Sequence, residues 1–365
     1  MTVTVRSFAK INLGLRIGAV RDDGFHDLLT VYQTIGLHDV IRVSVGRGKG
    51  IEIRCADPRV PKDESNTCFR IVEKAMRALR AKGRVVIEIE KRLPVQGGQG
   101  GASANAVGTL LGLERVLKKT LPPAERLRMA AEVGSDLPLF LVGGMVLGVG
   151  RGEQVYPLPD LPALACVVLT PKVGVSTPKA FADWDRLCGA GANAREAASL
   201  PARFEEGDEQ KPAELHSARP GPRPGPTQAN PTQRAPKLTV SAGFDRMSEL
   251  GRGLSAWLSE LYSGAPFGRG RAENPLLELV RAGIKNDFEE VVFPEYPELS
   301  SGKCALLRAG AKYASLSGSG STLYGLFASR EAAVQATARL RKQGWAAQAT
   351  ATLPRRPYWK RIVVG

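Results

Sequence analysis

A glycine-rich stretch at residues 94–106 limits what this chain can fold into more than any other part of its sequence. It reads Pro-Val-Gln-Gly-Gly-Gln-Gly-Gly-Ala-Ser-Ala-Asn-Ala. Upstream, Val85, Ile87 and Ile89 recur at every second position, which predicts a strand with one buried face. Downstream, Ala106 begins an apolar series at helical spacing. The segment therefore predicts a strand, a tight loop and a helix, which together form the basic unit of an α/β domain.

Such a loop is suited to holding a phosphate group. Glycine lets the backbone approach an anion closely, and the first turn of the helix offers unpaired N–H groups at the positive end of its dipole. The loop is not a Walker motif, because no Gly-Lys-Ser or Gly-Lys-Thr follows, and it lacks the spacing of the dinucleotide fingerprint. Flexible connectors have a similar composition, so the loop alone leaves phosphate binding and a connector equally open.

Three polar stretches elsewhere are further candidates for a functional site. Lys10 and Asn12 share one face of a predicted strand, which could also be a solvated face. Asp136 follows a helix end and precedes an apolar run, where a carboxylate beside a cation could act as a base, although an exposed turn residue is commoner. Residues 317–322, Ser-Gly-Ser-Gly-Ser-Thr, predict either a hairpin turn or a second backbone cradle.

The chain divides into two predicted domains and an insertion. Residues 1–160 alternate strand and helix patterns and form an N-terminal domain that contains the phosphate loop. A second domain spans 161–352, beginning with a buried strand near Leu164. Residues 189–237 lose periodicity and are rich in proline, glycine and polar residues, which predicts a disordered or loosely packed insertion. Residues 353–365 are expected to form a tail.

Local patterns also set boundaries within the first domain. Alternating apolar residues predict two short strands, at 3–6 and 10–17. Asn66 is a good N-cap, and the spacing after it predicts a helix that stops at Gly83.

Composition excludes several classes of protein. The longest apolar run, 137–149, is shorter than the roughly 18 residues of a membrane span and is interrupted by proline and glycine. The N-terminus lacks a signal-peptide pattern, and five cysteines without paired spacing agree with a reducing compartment, so a cytoplasmic location is expected. With only three histidines, a His-rich metal site is not expected. The net charge of +15 suits an anionic small molecule as well as nucleic acid.

Taken in order, these stretches resemble the motifs of the GHMP kinase superfamily: an N-terminal strand segment, a Pro-x-x-x-Gly-Leu-Gly-Gly-Gly-Ser-Ser loop and a C-terminal Gly-Ser-Gly loop. Within the superfamily, the sequence is most similar to the 4-diphosphocytidyl-2-C-methyl-D-erythritol kinase family. The resemblance covers about residues 4–185 and 275–351. The matching segments are Ala-Lys-Ile-Asn-Leu at 9–13, Arg-Asp-Asp-Gly-Phe-His-Asp-Leu at 21–28, Gly-Ser-Asp-Leu-Pro-Leu-Phe at 134–140, Gly-Arg-Gly-Glu at 150–153 and Asn-Asp-Phe-Glu at 286–289.

The resemblance implies a fold and a reaction. The fold would be α/β (α+β): a two-domain GHMP kinase with an N-terminal sandwich like domain 2 of ribosomal protein S5 and a C-terminal ferredoxin-like α+β domain. The reaction would be ATP-dependent phosphorylation of the 2-hydroxyl of 4-diphosphocytidyl-2-C-methyl-D-erythritol, a step of the non-mevalonate (methylerythritol phosphate) route to isoprenoid precursors. ATP would be the phosphoryl donor, with Mg²⁺. The partners would be ATP and the small cytidyl substrate, with no nucleic acid and no membrane, and the protein would be a monomer or homodimer.

The resemblance also assigns residues. Lys10 and Asp136 match the catalytic pair, and Ser103 is the best candidate for a contact with Mg²⁺, for which the sequence offers no confident ligand. Phe25 would stack on the cytosine ring and His26 would hydrogen-bond its edge. The implied ATP-binding residues are Asn66, Pro94, Val95, Gln96, Gly97, Gly98, Gln99, Gly100, Gly101, Ala102, Ser103 and Ala104. The implied substrate-binding residues are Asn12, Phe25, His26, Thr177, Phe181, Gly318, Ser319 and Gly320.

This sequence departs from the family pattern inside its motifs. In the phosphate loop, Gln99 replaces leucine, Ala102 replaces glycine and Ala104 replaces serine. Phe25 stands where the family has tyrosine, so the ring can still stack but has lost its hydroxyl. The insertion is also longer than the family requires.

Three alternatives stay open on the sequence. Another small-molecule GHMP kinase would keep Lys10, Asp136 and both loops but not the segment 24–26. A catalytically impaired binding paralogue would keep the fold, and Ala102 and Ala104 favour it. A nucleic-acid binder is suggested only by the positive charge, and it would need aromatic residues within a basic face, whereas aromatics are 6% of the chain.

Overall fold

The protein is described from a computed structural model that covers residues 1–95, 97–189, 240–263, 276, 279 and 284–364. Gln96 and nearly all of the predicted insertion lie outside these residues. The strands are β1 Thr2–Val20, β2 His26–Gly46, β3 Gly50–Cys55, β4 Arg84–Glu90, β5 Met145–Val149, β6 Gln154–Pro157, β7 Ala165–Leu169, β8 Tyr313–Leu316, β9 Leu323–Phe327, β10 Ala347–Ala351 and β11 Val363–Val364. The helices are α1 Thr67–Ala78, α2 Gly101–Leu117, α3 Pro123–Val133, α4 Leu137–Val142, α5 Thr177–Cys188, α6 Val240–Ser263, α7 Glu289–Glu295, α8 Pro297–Arg308, α9 Arg330–Lys342 and α10 Arg355–Ile362.

The N-terminal sheet is built around the long antiparallel pair β1 and β2. Its strand order is β11-β1-β2-β4-β3, and β5 and β6 extend from β2. Helices α1 to α4 and α10 share a hydrophobic core with one face of this sheet. Helix α2 packs closely on the strands, because a side chain at Gly112 would lie only 2.9 Å from Val43.

The two strands predicted at 3–6 and 10–17 are a single strand, β1, so that prediction is wrong at its break. Pairing with β2 becomes irregular between Phe8 and Lys10, and the alternation of side chains changes just before this point, because Phe8 packs on the same side as Val3 and Val5. Val3 and Val5 pack with α2, whereas Ile11, which would share their face without this change, packs on the opposite side. The change interrupts the sequence pattern but not the strand.

The C-terminal sheet lies against the other face of β1. Its strands are antiparallel in the order β10-β7-β9-β8. Cys166 and Val168 of β7 join a core with β1, β2 and α6, while Val167 and Leu169 join a core with α5, α7, α8 and α9. The result is two sheets packed face to face with helices on both outer sides. Among the residues described, no helix is long and apolar enough to cross a membrane.

Two boundaries differ from expectation. Asn66 caps α1 as predicted, its Oδ1 accepting from the Cys68 N–H at 2.8 Å. The helix ends at Ala78, and Gly83, predicted to stop it, lies directly before β4. The predicted tail is also structured: α10 packs its buried Tyr358 against α4, and β11 pairs with β1. The division into domains at residue 160 stays a prediction.

Candidate active site

A cavity of about 690 Å³ lies among β1, β2, both glycine-rich loops and helices α2 and α5. It brings together many of the residues that the sequence predicted for a site. Those that line it are Lys10, Asn12, Phe25, His26, Gly98, Gly100, Ser103, Asp136, Thr177, Phe181, Gly318 and Ser319. Other predicted residues lie outside this lining: Asn66, Pro94, Val95, Gly97, Gln99, Gly101, Ala102, Ala104 and Gly320. Gln96 is outside the described residues.

A lysine and an aspartate form the charged centre of the cavity. The Lys10 ammonium donates to Asn12 Oδ1 at 2.7 Å and lies 3.5 Å from Asp136 Oδ2. The Lys10 side chain is almost fully buried, whereas that of Asp136 is 33% exposed. The Thr30 hydroxyl accepts from the Asn12 amide at 2.8 Å, which directs Asn12 Oδ1 toward the lysine. The carboxylate is thus held beside a cation while part of it stays open to the cavity.

An exchange of faces in β1 near Phe8 aims Lys10 and Asn12 at this centre, since Ala9, Ile11 and Leu13 pack on the side of the C-terminal sheet. Because side chains alternate along a strand, a one-residue shift exchanges the two faces. Asp136 immediately precedes the short helix α4, and its carboxylate bonds to neighbouring side chains instead of capping the helix. The sequence prediction that an aspartate after the helix end could lie beside a cation agrees with this geometry.

Tyr32 of β2 completes this centre, and sequence reasoning missed it. Its hydroxyl donates to Asp136 Oδ1 at 3.1 Å. Tyr32 is buried, and burial together with the negative charge of Asp136 raises its pKa well above the usual value. The phenol therefore stays protonated and acts as a donor. Nothing in the sequence distinguished it from a core aromatic residue.

The two glycine-rich loops are in direct backbone contact. The Ser317 hydroxyl donates to the Gly98 carbonyl at 3.0 Å, and the Thr322 N–H donates to the Gly97 carbonyl at 3.1 Å. A methyl group at Gly98 would overlap the Ser317 carbonyl oxygen, and one at Gly320 would lie 2.5 Å from the Gly98 nitrogen. The segment 317–322 is therefore both a hairpin connection between β8 and β9 and one wall of the phosphate loop.

The phosphate loop leads into the N-terminus of α2. Gly100 precedes the helix with a φ of 68°, a left-handed conformation that favours glycine. The first N–H groups of a helix have no acceptor within it, and they carry the positive end of its dipole. Because Gly98, Gly100 and Ser103 line the same cavity as Lys10, this end of α2 offers the kind of N–H groups and dipole that suit an anion.

Gln99 connects the phosphate loop by hydrogen bonds to β1 and to the second glycine-rich loop. Its backbone carbonyl accepts from the Lys10 N–H at 3.0 Å, and its side-chain amide donates to the Thr322 hydroxyl at 3.1 Å. Its side chain is buried, and Oε1 has no hydrogen-bond partner among the described residues. Gln99, which replaces the family's leucine, therefore holds the phosphate loop against β1 and the second loop through its hydrogen bonds.

Aromatic residues form the other end of the cavity. The His26 ring stacks on Phe181 with centroids 4.9 Å apart and an interplanar angle of 17°. Its Nε2 is 2.7 Å from Asp185 Oδ1. Phe25 is 51% exposed, and the guanidinium carbon of Arg151 lies 4.9 Å from its ring centroid. His26 thus lies across a face of Phe181 in this structure, while much of the Phe25 ring is open to a ligand.

Asp185 and Arg151 were not predicted as site residues, although both line the cavity. A signal for Asp185 existed: it follows Phe181 by four residues, which places the two on the same face of a helix. Arg151 lies in the matched Gly-Arg-Gly-Glu segment, but its position over Phe25 depends on the pairing of β2 with β5.

Further hydrogen bonds hold the second loop at the cavity. The Thr177 and Ser319 hydroxyl groups are 2.7 Å apart and join α5 to this loop. The Asn286 amide donates to the carbonyls of Leu316 and Gly318 at 3.0 and 2.8 Å. Asn286 therefore positions the backbone of the loop.

Asn66 lies near the start of α2 rather than in the cavity lining. Besides capping α1, its side chain donates to the Pro61 carbonyl at 2.6 Å. The adjacent Thr67 donates to the Ala102 carbonyl at 3.0 Å, so the starts of α1 and α2 are side by side. In the described part of the chain, no group of three or more His, Cys, Asp and Glu side chains could hold a metal ion.

Comparison with known proteins identifies relatives over nearly the whole chain. Residues 66–144 match the GHMP kinases N terminal domain, and residues 272–345 match GHMP kinases C terminal. A 4-diphosphocytidyl-2-C-methyl-D-erythritol kinase of Solibacter usitatus is 33% identical over 332 residues, which are 91% of this chain and 83% of the relative. One of Acaryochloris marina is 31% identical over 331 residues, which are 90% of this chain and 88% of the relative.

Solved structures share the fold. A crystal structure of 4-(cytidine 5'-diphospho)-2C-methyl-D-erythritol kinase superposes with a TM-score of 0.62 at 25% identity, covering 96% of this chain and 99% of the other. A homoserine kinase from Cytophaga hutchinsonii superposes with a TM-score of 0.64 at 19% identity, covering 97% and 95%. The predicted fold class is thereby confirmed.

Proposed function

The chain belongs to the GHMP kinase superfamily, as a member of its 4-diphosphocytidyl-2-C-methyl-D-erythritol kinase family, and from this premise we propose that it transfers the γ-phosphoryl group of ATP to the 2-hydroxyl of that cytidyl substrate. The observation that carries the proposal is the Lys10–Asp136 pair beside the N-terminus of α2, in one cavity with an aromatic wall. The arrangement combines an anion site, a carboxylate and a surface for a flat ring.

Asp136 is the group that would accept or orient the hydroxyl proton. The described residues that line the cavity include two carboxylates, and that of Asp185 is hydrogen-bonded to His26 at the aromatic end. Asp136 lies at the anion end and is partly exposed. Tyr32 cannot serve as the base, because its raised pKa keeps it protonated; it would instead hold the carboxylate in place.

Lys10 and α2 would bind the phosphates. Phosphoryl transfer depends mostly on positioning the reactants and neutralising charge. The Lys10 ammonium lies next to Asp136, where it would face the transferred phosphoryl group. The free N–H groups at the start of α2, together with the backbone of Gly98 and Gly100, would hold the triphosphate. Ala102 keeps its N–H in the first turn, and the Ala104 N–H donates to the Gly100 carbonyl at 2.8 Å, so neither departure takes a free backbone donor away from the site.

Mg²⁺ would enter with ATP rather than be held by a protein cage. It prefers oxygen ligands and usually retains waters while it contacts substrate phosphates. The Ser103 hydroxyl, at the start of α2 and in the cavity lining, is the side chain that we propose for a contact. Bound there, the ion would neutralise part of the phosphate charge.

The cytidyl end of the substrate would lie against the aromatic wall. The exposed ring of Phe25 offers a face for stacking on the base, and His26 offers a polar edge. Thr177 and Ser319, whose hydroxyl groups are hydrogen-bonded to each other, line the same cavity. A kinase for a small aliphatic alcohol needs no such wall, which favours the cytidyl substrate over the first alternative. The protein would act on these small molecules as a monomer or homodimer in the cytoplasm.

A substrate comparison tests the proposal. ATP consumption would be measured with 4-diphosphocytidyl-2-C-methyl-D-erythritol, mevalonate, homoserine and galactose, with Asp136→Asn as the control for background hydrolysis. We expect turnover with the cytidyl substrate alone. Turnover of one of the other alcohols would assign a different kinase of the superfamily, and binding of ATP without any turnover would indicate an impaired paralogue.

A further inference from the structure

Asp185 lines the cavity but has no role in the phosphoryl transfer described above. It lies on α5, one helical turn after Phe181. Its carboxylate, 29% exposed, accepts a hydrogen bond from Nε2 of the nearly buried His26, with 2.7 Å between the two atoms. Because the imidazole also stacks on Phe181, the histidine is held from its edge and from its face.

This contact has a chemical consequence for the opposite edge of the imidazole. A neutral imidazole carries one N–H, and an ionised carboxylate can only accept a hydrogen bond. In the neutral ring the hydrogen is therefore on Nε2, and Nδ1 carries a lone pair. In the described part of the chain no side chain or backbone group bonds to His26 Nδ1, so that nitrogen is available to a ligand in the cavity.

We propose that Asp185 is a positioning residue that fixes His26 as the tautomer whose Nδ1 accepts a hydrogen bond, so that the site selects a base with an amino group at its edge. This inference rests on the proposed function and concerns how the substrate base is chosen. Cytosine presents an amino donor where uracil presents a carbonyl oxygen. If uracil were bound, its carbonyl oxygen and His26 Nδ1 would face each other with two lone pairs and no hydrogen between them. A ligand that leaves buried polar groups unpaired in this way binds more weakly.

A plainer role for Asp185 would be to dock α5 against His26 and nothing more. Removing the carboxylate would then weaken the helix contact and affect all substrates alike. A role in fixing the tautomer predicts a change in the ratio between bases instead. The two roles therefore separate when cytidyl and uridyl compounds are compared in the same variant.

Asp185→Asn is the variant that best distinguishes these two roles. Asparagine keeps the size of the side chain, and it can either accept from Nε2 or donate to it. The second arrangement moves the hydrogen to Nδ1, which can then donate to a carbonyl. We expect the preference for the cytidyl over the uridyl substrate, measured as the ratio of kcat/KM values, to fall by about tenfold, the size of one hydrogen bond. The change should lie in KM, with kcat and the KM for ATP nearly unchanged.

Asp183→Asn is the matched control. It removes the same charge from the same helix, but Asp183 pairs with Lys179 at 2.9 Å and does not line the cavity. We expect its base preference to equal that of the unchanged protein. The same ratio would be measured without turnover by calorimetric titration with CDP and UDP.

Nitrogen-15 NMR of the histidine rings observes the tautomer directly. The chain has three histidines, so the His26 signals can be assigned with a single His26→Gln variant. We expect a protonated Nε2 and an unprotonated Nδ1 in the unchanged protein, and a mixed or reversed pattern in Asp185→Asn. A doubly protonated ring, or an unchanged base ratio in Asp185→Asn, would overturn the inference. Absence of kinase activity toward the cytidyl substrate would refute the proposed function alone, because the NMR and nucleotide-binding results would still decide the role of Asp185.

Discussion

Gly98→Ala tests whether the two glycine-rich loops must interlock for the protein to be stable. An added methyl group would overlap the backbone carbonyl oxygen of Ser317 and would lie 3.1 Å from the Cα of Gly320. These are backbone atoms of a loop that is also held by Asn286, so they cannot rotate away as a flexible side chain could. Gly98 also has a φ of 78°, which residues other than glycine rarely adopt.

The structure separates these two costs with two control variants. A left-handed conformation costs an L-residue roughly 1–2 kcal/mol, and forcing a methyl group into a packed site typically costs about 1–3 kcal/mol. Gly24 has the same φ of 78°, and among the described residues nothing would lie within 4 Å of its added methyl group. Gly320 lies outside the left-handed region, but its methyl group would be 2.5 Å from the Gly98 nitrogen.

We therefore expect a graded loss of unfolding free energy. Gly24→Ala should cost roughly 1–2 kcal/mol and Gly320→Ala about 1–3 kcal/mol. Gly98→Ala should cost about their sum, roughly 2–5 kcal/mol. Urea unfolding with a common slope would measure the differences. Gly98→Ala should also weaken ATP binding in a calorimetric titration, whereas Gly24→Ala should not. A Gly98→Ala protein no less stable than Gly24→Ala would refute the interlock.

Other expected outcomes concern individual side chains. Asp136→Asn should retain ATP binding and lose most of kcat, because the charge acts during transfer; near-normal turnover in a steady-state assay would make Asp136 a structural residue. Tyr32→Phe should lower kcat by about tenfold without changing the KM for ATP, since it removes one hydrogen bond to that carboxylate. Burial raises the pKa of Tyr313 to about 12, so the folded state binds its proton more tightly than the unfolded state does. The resulting stability should be complete below about pH 10 and be lost as the pH rises through 12. The Tyr313→Phe protein should be less stable than the unchanged protein at neutral pH. Its unfolding free energy should fall less as the pH is raised from about 10 to 12, as measured by urea unfolding at several pH values.

Several parts of the fold and the site could be predicted because neighbouring residues determine them. The strand β4, the loop and α2 follow from alternation, glycine conformation and helical spacing within about twenty residues. Asn66 caps a helix for an equally local reason, since its side chain reaches an N–H two residues away. Lys10 and Asn12 share a face because alternate residues of any strand do.

Which face they share is a tertiary property. The faces of β1 exchange near Phe8, where its pairing with β2 is irregular, and this exchange places Lys10 in the cavity instead of on the side of the C-terminal sheet. The bond of Tyr32 to Asp136 spans 104 residues, and that of His26 to Asp185 spans 159. Such partners meet only when strands have paired and helices have docked, so no local pattern can indicate them.

The end of the chain illustrates the same division. Residues 353–365 carry enough apolar side chains to fold, yet their sequence alone suggested a tail. Tyr358 and Ile362 are buried only because the first sheet provides a surface for them, and Val363 pairs with Val5 across nearly the whole length of the chain. The sequence thus determines which chemical groups this protein carries and the local elements that hold them. Strand register and packing determine which groups come into contact, because burial and hydrogen bonding stabilise contacts between segments that are remote along the chain.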